Sequence, residues 1–189
     1  MCIRDRPTYT YIVAFDRAGN FVGLSAEPGR VWPVGTQLRE MGADPLSMSG
    51  LIKDWNTNRP AAMRGVIWYR LPVAADDLNW RWPTLGAIVA GREPHERVHA
   101  VARRVEAGLV EISLVNDGEL DISSRLGVEA RWSDARLVAG DGLRGFELAE
   151  ATNSAVKFQN TSWRLPAGEK EIIGWLRLDP DREVQLEVK

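Results

Sequence analysis

Apolar and polar positions follow two different rhythms along this chain. Tyr9 to Phe15 is an aromatic and β-branched run that stops at Asp16. Asp16-Arg17-Ala18-Gly19-Asn20 has the composition of a tight turn, in which Gly or Asn takes the positive φ, and Phe21 to Leu24 returns as a second short strand. Asp44-Pro45 predicts a helix start, with an acidic cap and a proline at the first helical position. Met48, Leu51, Ile52 and Trp55 then form one apolar stripe at helical spacing, which Asn56 to Pro60 ends. Met63 to Leu71 is a nearly continuous apolar run, as in strands buried on both faces of a parallel sheet. Pro83 opens a short helix through Leu85 and Ile88, closed by Gly91. Strand, helix, buried strand and helix read as the end of an α/β domain.

From about Val98 the period shortens to two. Leu109 to Val115 alternates and is punctuated by Asn116-Asp117-Gly118. Val128 to Trp132, Arg136 to Ala139, Ala155 to Gln159, Ser162 to Leu165, Glu171 to Leu178 and Glu183 to Val188 continue the series. Short strands at this spacing, separated by turns such as Ala167-Gly168 and Asp179-Pro180-Asp181, predict an antiparallel sandwich. Val98, Val101, Ala102 and Val105 also fit a helical stripe. A hairpin through Glu106-Ala107-Gly108 favours a strand there. Trp132, Trp163 and Trp175 read as core anchors. No face of exposed aromatics interleaved with polar groups is legible in this half, so it reads as structural.

An apolar share of 44% is ample for a core, and a net charge of −2 offers no attraction to nucleic acid or an anionic membrane. No run approaches the roughly 20 apolar residues of a membrane-spanning helix. The one cysteine and two histidines, His95 and His99, exclude a disulfide framework and a histidine-rich metal site, and no cofactor motif appears. Met-Cys-Ile-Arg-Asp-Arg matches the translation of a transposase sequencing adapter, ATG TGT ATA AGA GAC AG. Residues 1–6 are therefore set aside from fold reasoning, and the natural protein is expected to extend upstream.

The chemistry concentrates between Gly65 and Leu85. Trp68, Tyr69 and Arg70 end the apolar strand, and a loop with Asp76, Asp77, Asn79, Trp80 and Trp82 follows. Aromatic faces beside Asp, Asn and Arg are what a sugar cleft needs, because rings stack on pyranose C–H faces while polar groups take the hydroxyls. Ile67-Trp68-Tyr69-Arg70-Leu71-Pro72, Asp77-Leu78-Asn79-Trp80 and Trp82-Pro83-Thr84-Leu85 resemble the bacterial domain-of-unknown-function family numbered 3142. Asp16 to Glu27 and Asn116-Asp117-Gly118-Glu119 are similar to further blocks of it, and the resemblance covers most of residues 7–189. It implies a glycosidase-like (β/α) barrel followed by a C-terminal sandwich, in exported or cell-envelope proteins. A full (β/α)8 barrel takes about 250 residues. The fold expected is therefore α/β followed by all-β: the terminal units of a (β/α)8-type barrel over 7–95 and an immunoglobulin-like sandwich over 96–189. The rest of the barrel would be a missing N-terminal part.

Each candidate has two readings. Trp80 and Trp82 either line a cleft or pack as core, whereas Trp68 belongs to the strand interior. Asp76 and Asp77 either serve as acid and base or hold sugar hydroxyls, or they form an acidic loop in which Asp77 caps a turn. Glycosidases place two carboxylates about 5–5.5 or about 6.5–9.5 Å apart, so Asp77 would need a partner such as Glu27. Arg70 clamps a substrate group or pairs with Asp76 or Asp77. Asp16 is most simply the first residue of its turn. The expected catalytic pair is Asp77 and Glu27, with Arg70, Asp76, Asn79, Trp80 and Trp82 binding a carbohydrate. The alternative is a non-catalytic carbohydrate-binding or envelope scaffold module.

Overall fold

A computed structural model describes residues 2–27, 29–74, 76–161 and 163–189, with residues 2–5 as backbone alone. The chain divides into two units, Met1–Pro94 and His95–Lys189.

The first unit runs through β1 (Cys2–Pro7), β2 (Thr10–Phe15), β3 (Phe21–Ser25), β4 (Gln37–Gly42), α1 (Pro45–Thr57), β5 (Met63–Tyr69) and α2 (Trp82–Val89). Strand β2 lies between β3 and β4 and is antiparallel to both. Asp16 builds the β2–β3 turn: its Oδ1 accepts from the backbone N–H of Ala18 and Asn20, each at 2.8 Å. These bonds hold the Asp16 carboxyl below the ordinary carboxylate value, the Asn20 side-chain bond contributing most. Helix α1 starts where Asp44 accepts from the Ser47 N–H at 2.8 Å, with Pro45 following in the first turn. Strands β1 and β5 pair in parallel. Ile52 of α1, Leu85 and Ile88 of α2, and Trp80 form the buried cluster of this unit, with Val66 and Trp68 of β5 packed on it. The alternate β5 positions, Ile67 and Tyr69, are exposed.

The expected barrel units are absent: the described residues hold thirteen strands and two helices, and no (β/α)-barrel-like unit. The reason lies in β2. Its turn at Asp16 and its pairing with β4 make the segment an antiparallel three-stranded sheet, and no helix separates residues 10 and 42 among the described residues. Apolar runs such as Met63–Leu71 occur in strands of either kind of sheet, so periodicity could not separate them.

The second unit comprises β6 (Val98–Glu106), β7 (Leu109–Asn116), β8 (Gly127–Arg131), β9 (Arg136–Gly142), β10 (Phe146–Ala149), β11 (Ala155–Asn160), β12 (Lys170–Asp179) and β13 (Gln185–Val188). They form two four-stranded antiparallel sheets, ordered β6-β7-β12-β9 and β10-β11-β8-β13. Ile112, Leu114, Ile173, Leu176 and Leu178 from the first meet Val128, Ala130, Phe146, Val156 and Phe158 from the second in one buried core. Fully burying a side chain of this kind contributes about 1.5–3 kcal/mol. Residues 98–106 are a strand, which closes the choice left open there. Of the segment 162–165, Ser162 lies outside the described residues, and Leu165 forms an isolated bridge with Ile122.

Asn116 is completely buried and uses all its polar groups. Its Nδ2 donates to the carbonyls of Leu120 (2.9 Å) and Leu165 (3.0 Å), and its Oδ1 accepts from the Gly118 N–H at 3.0 Å. Its backbone N–H donates to Glu169 O and its carbonyl accepts from the Gly168 N–H, both at 2.9 Å. Gly118 is sterically required: a Cβ there would lie 2.4 Å from Arg97 N and 2.8 Å from His95 O.

Trp132 and Trp163 join the core and are fixed through their indole N–H groups, to Ala135 O (3.0 Å) and Glu171 Oε2 (2.6 Å). Trp175 does not join it. It is half-buried and directly opposite Glu111 in the ladder, on the face away from the core. The β12–β7 pairing shifts between Ile172 and Gly174, and this extra residue displaces Trp175 from the core side.

Candidate functional site

The end of β5 and the loop that follows carry a buried polar network. Arg70 is its hub: Nη1 donates to Glu27 Oε1 at 2.9 Å, and Nη2 contacts Asp76 Oδ2 at 2.8 Å and Ala26 O at 2.9 Å. Its guanidinium holds its proton more firmly than an ordinary arginine, first through the Glu27 hydrogen bond and then through the charge of Asp76. Asp76 is only 6% exposed, and its Oδ1 accepts from the Leu78 N–H at 3.2 Å. Asn79, also buried, donates from Nδ2 to the carbonyls of Arg70 (3.0 Å) and Leu71 (3.1 Å), and Thr8 Oγ1 donates to the same Arg70 carbonyl. Four of the predicted residues, Glu27, Arg70, Asp76 and Asn79, thus meet in one cluster.

Asp77, Trp80 and Trp82 go elsewhere. Asp77 is exposed and accepts from Arg81 Nη2 at 2.9 Å, while Arg81 Nη1 donates to Ala74 O. Trp80 is buried, 6.3 Å from the Trp68 ring, and its indole N–H donates to Ala43 O at 3.0 Å. Trp82, at the first position of α2, is 58% exposed. On a strand, residues 80 and 82 would share one face. The helix begins between them and parts them.

Glu27 also lines a groove of about 340 Å³ with Ile12, Gly29, Arg30, Trp32, Leu38, Glu40 and Leu78. Trp32 is its aromatic wall. The ring lies against Gly23 of β3, where a Cβ would sit 3.3 Å from Trp32 Cζ3. The Arg30 guanidinium is 4.4 Å from the Trp32 ring centroid and donates to Leu24 O at 2.9 Å. Arg30 is thereby committed, whereas Glu40 has no ion-pair partner among the described residues. Trp32 and Arg30 escaped the sequence reading because residues 26–36 have no strand or helix period, and Glu40 because Gln37–Gly42 shows no apolar alternation. The available signal was Gly23 within a strand, which marks close approach of another group, together with a tryptophan in a Gly- and Pro-bounded loop.

No helix among the described residues is long and apolar enough to cross a membrane, and those residues hold no cluster of metal-ligating side chains.

Residues 99–179 match a family described as Domain of unknown function (DUF8456). This match lies within the second unit and spans less than half the chain. A domain of unknown function is therefore found, but it is not the family numbered 3142. No curated protein matches the chain. Among solved structures it is similar to the chitin-binding domain of a chitinase from Pyrococcus furiosus, at 13% identity and a TM-score of 0.32 over 51% of this chain and 95% of that one. It is also similar to a family GH18 chitinase from Chromobacterium violaceum, at 12% identity and a TM-score of 0.36 over 97% of this chain and 45% of that one. For chitinase ChiA74 from Bacillus thuringiensis the values are 10%, 0.30, 98% and 52%. The chain spans about half the length of these two chitinases.

Proposed function

We propose that the first unit binds a carbohydrate in the Trp32 groove without cleaving it. Trp32 is the observation that carries this: an indole wall, seated on Gly23, in a groove that also holds Glu27 and Glu40. Indole faces stack on pyranose C–H faces, and carboxylates accept from sugar hydroxyls. Glu27 is held by Arg70, which is itself anchored on buried Asp76, so this acceptor is ordered before a ligand arrives. Hydrolysis would need two carboxylates facing each other across the scissile bond. Here Glu27 is tied to Arg70, which leaves Glu40 as the groove's one carboxylate without an ion-pair partner among the described residues, and the expected partner Asp77 is tied to Arg81; this favours binding over turnover.

The test is titration of the isotope-labelled full chain with cellohexaose, chitohexaose and xylohexaose, read at the amide resonances of Gly23 and Glu27. One of the sugars is expected to shift them and to be recovered uncut by chromatography. Trp32→Ala should weaken the affinity read there about tenfold without lowering the thermal midpoint. Unmoved resonances with all three sugars, or equal affinity in Trp32→Ala, would refute the groove as a sugar site. Shortened products would refute binding without cleavage.

A further inference from the structure

We infer that the second unit carries a carbohydrate-contact face of its own, centred on Trp175. Four residues stand directly opposite one another across the β6-β7-β12-β9 sheet: Arg103 faces Glu111, Glu111 faces Trp175, and Trp175 faces Asp141. Directly paired residues share a face, and adjacent strands lie about 4.8 Å apart. The row therefore runs about 14 Å across the sheet, on the side away from the core. All four residues lie within the segment that matches the domain family.

An irregularity in β12 creates this row. Ile173 and Gly174 are both buried, one after the other, where the pairing with β7 shifts. Strict alternation through Ile172 and Ile173 would put Trp175 on the same side as Ile173, in the core. The bulge takes up one residue and turns Trp175 outward with Ile172, a re-aiming that bulges commonly perform next to functional sites. Gly174 is fitted to the site: a Cβ there would meet Phe158 Cε1 at 2.3 Å and Asp141 O at 2.6 Å.

Trp175 also differs from its neighbours in its polar edge. Trp132 and Trp163 spend their indole N–H groups on internal acceptors, whereas Trp175 donates to no partner among the described residues. Asp141 is exposed and has no ion-pair partner among those residues, while Glu111 is held by Arg103 through two bonds at 3.1 and 2.9 Å. A single aromatic ring with a free indole N–H, bordered by a fixed carboxylate and an open one, matches a polyhydroxylated ring. A protein partner would call for a continuous apolar centre.

This site is independent of the Trp32 groove, and its test removes that groove. Full-length Trp32→Ala protein is titrated with cellohexaose and chitohexaose while its indole N–H resonances are followed. The Trp175 signal is expected to move with at least one sugar while those of Trp132 and Trp163 stay fixed. Trp175→Ala, with unchanged circular dichroism, should weaken this binding about tenfold. If that variant fails to fold, Asp141→Ala, on an exposed position, should weaken it in the same direction. A Trp175 signal unmoved by both sugars, or affinity unchanged in the variant tested, overturns the inference. So does a Trp175 signal that moves with protein concentration alone, which would assign the face to contact between copies.

Discussion

Removing the Arg70 charge should strand the carboxylate beneath it. Asp76 is 6% exposed and has Arg70 as its only ion-pair partner among the described residues, at 2.8 Å. Breaking a buried pair from one side costs about 3–5 kcal/mol. Arg70 is itself 29% exposed, so water reaches part of the guanidinium and the lower end applies. The second arm, to the largely exposed Glu27, adds about 0–1 kcal/mol. Arg70→Met is therefore expected to cost about 3–4 kcal/mol. Asp76→Asn keeps an oxygen for the Leu78 N–H and leaves a cation that water can reach, a loss of about 1 kcal/mol. The double variant leaves no buried charge. Its loss should therefore be smaller than the sum of the single losses, by a coupling of about 2 kcal/mol. Urea unfolding followed by tryptophan fluorescence measures all three, since Trp68 and Trp80 report on this unit. An Arg70→Met loss below about 0.5 kcal/mol, or additive losses in the double variant, would show that Asp76 is not held as a buried ion.

Trp80→Ala should cost about 3–5 kcal/mol as a core truncation, whereas Trp82→Ala should stay within about 0.5 kcal/mol; equal losses in urea titrations would contradict their placement. A pH effect is expected in the second unit. Hydrogen bonds from Lys189 and then Arg131 to Glu129, and from Arg103 to Glu111, hold both carboxyls below their ordinary value of 4.5. A depressed folded value means that the unfolded chain takes up the proton first. This contribution is therefore complete above pH 4.5 and is lost as the pH falls through the lower folded values. Urea midpoints measured down this range should fall, and should fall less steeply in Lys189→Met; identical slopes would remove these ion pairs from the acid limb.

Local signals carried through where side-chain chemistry fixes the backbone on its own. The Asp16 turn, the Asp44-Pro45 helix start and the two-residue alternation of 109–115 are of that kind. What failed was the assignment of partners. Tyr9 to Phe15 has the same composition whether its neighbours run parallel or antiparallel, and the pairing with Gln37–Gly42 is set by chain that has no apolar period. The candidate cluster was half legible. Arg70, Asp76 and Asn79 stood out because charged and amide groups at the end of an apolar strand must find partners once buried. Trp32 did not, since its role comes from contact with Gly23, nine residues away on another segment. Trp175 was misread because a bulge shifts the face of everything beyond it, and one inserted residue leaves no trace in composition.

Asn116 ties the two loops it touches into one clasp, and this separates what the turn holds from what it displays. With both amide hydrogens, the side-chain oxygen and both backbone groups engaged, residues 116–120 and 165–169 must open together or not at all. The Asp117 carboxylate, ion-paired with Arg97 and 3.4 Å from His99 Nδ1, rides outside that clasp. Position 117 is therefore exchangeable in a way that 116 and 118 are not. The backbone there is a fixed mount, and the charge it presents can be rewritten without disturbing it.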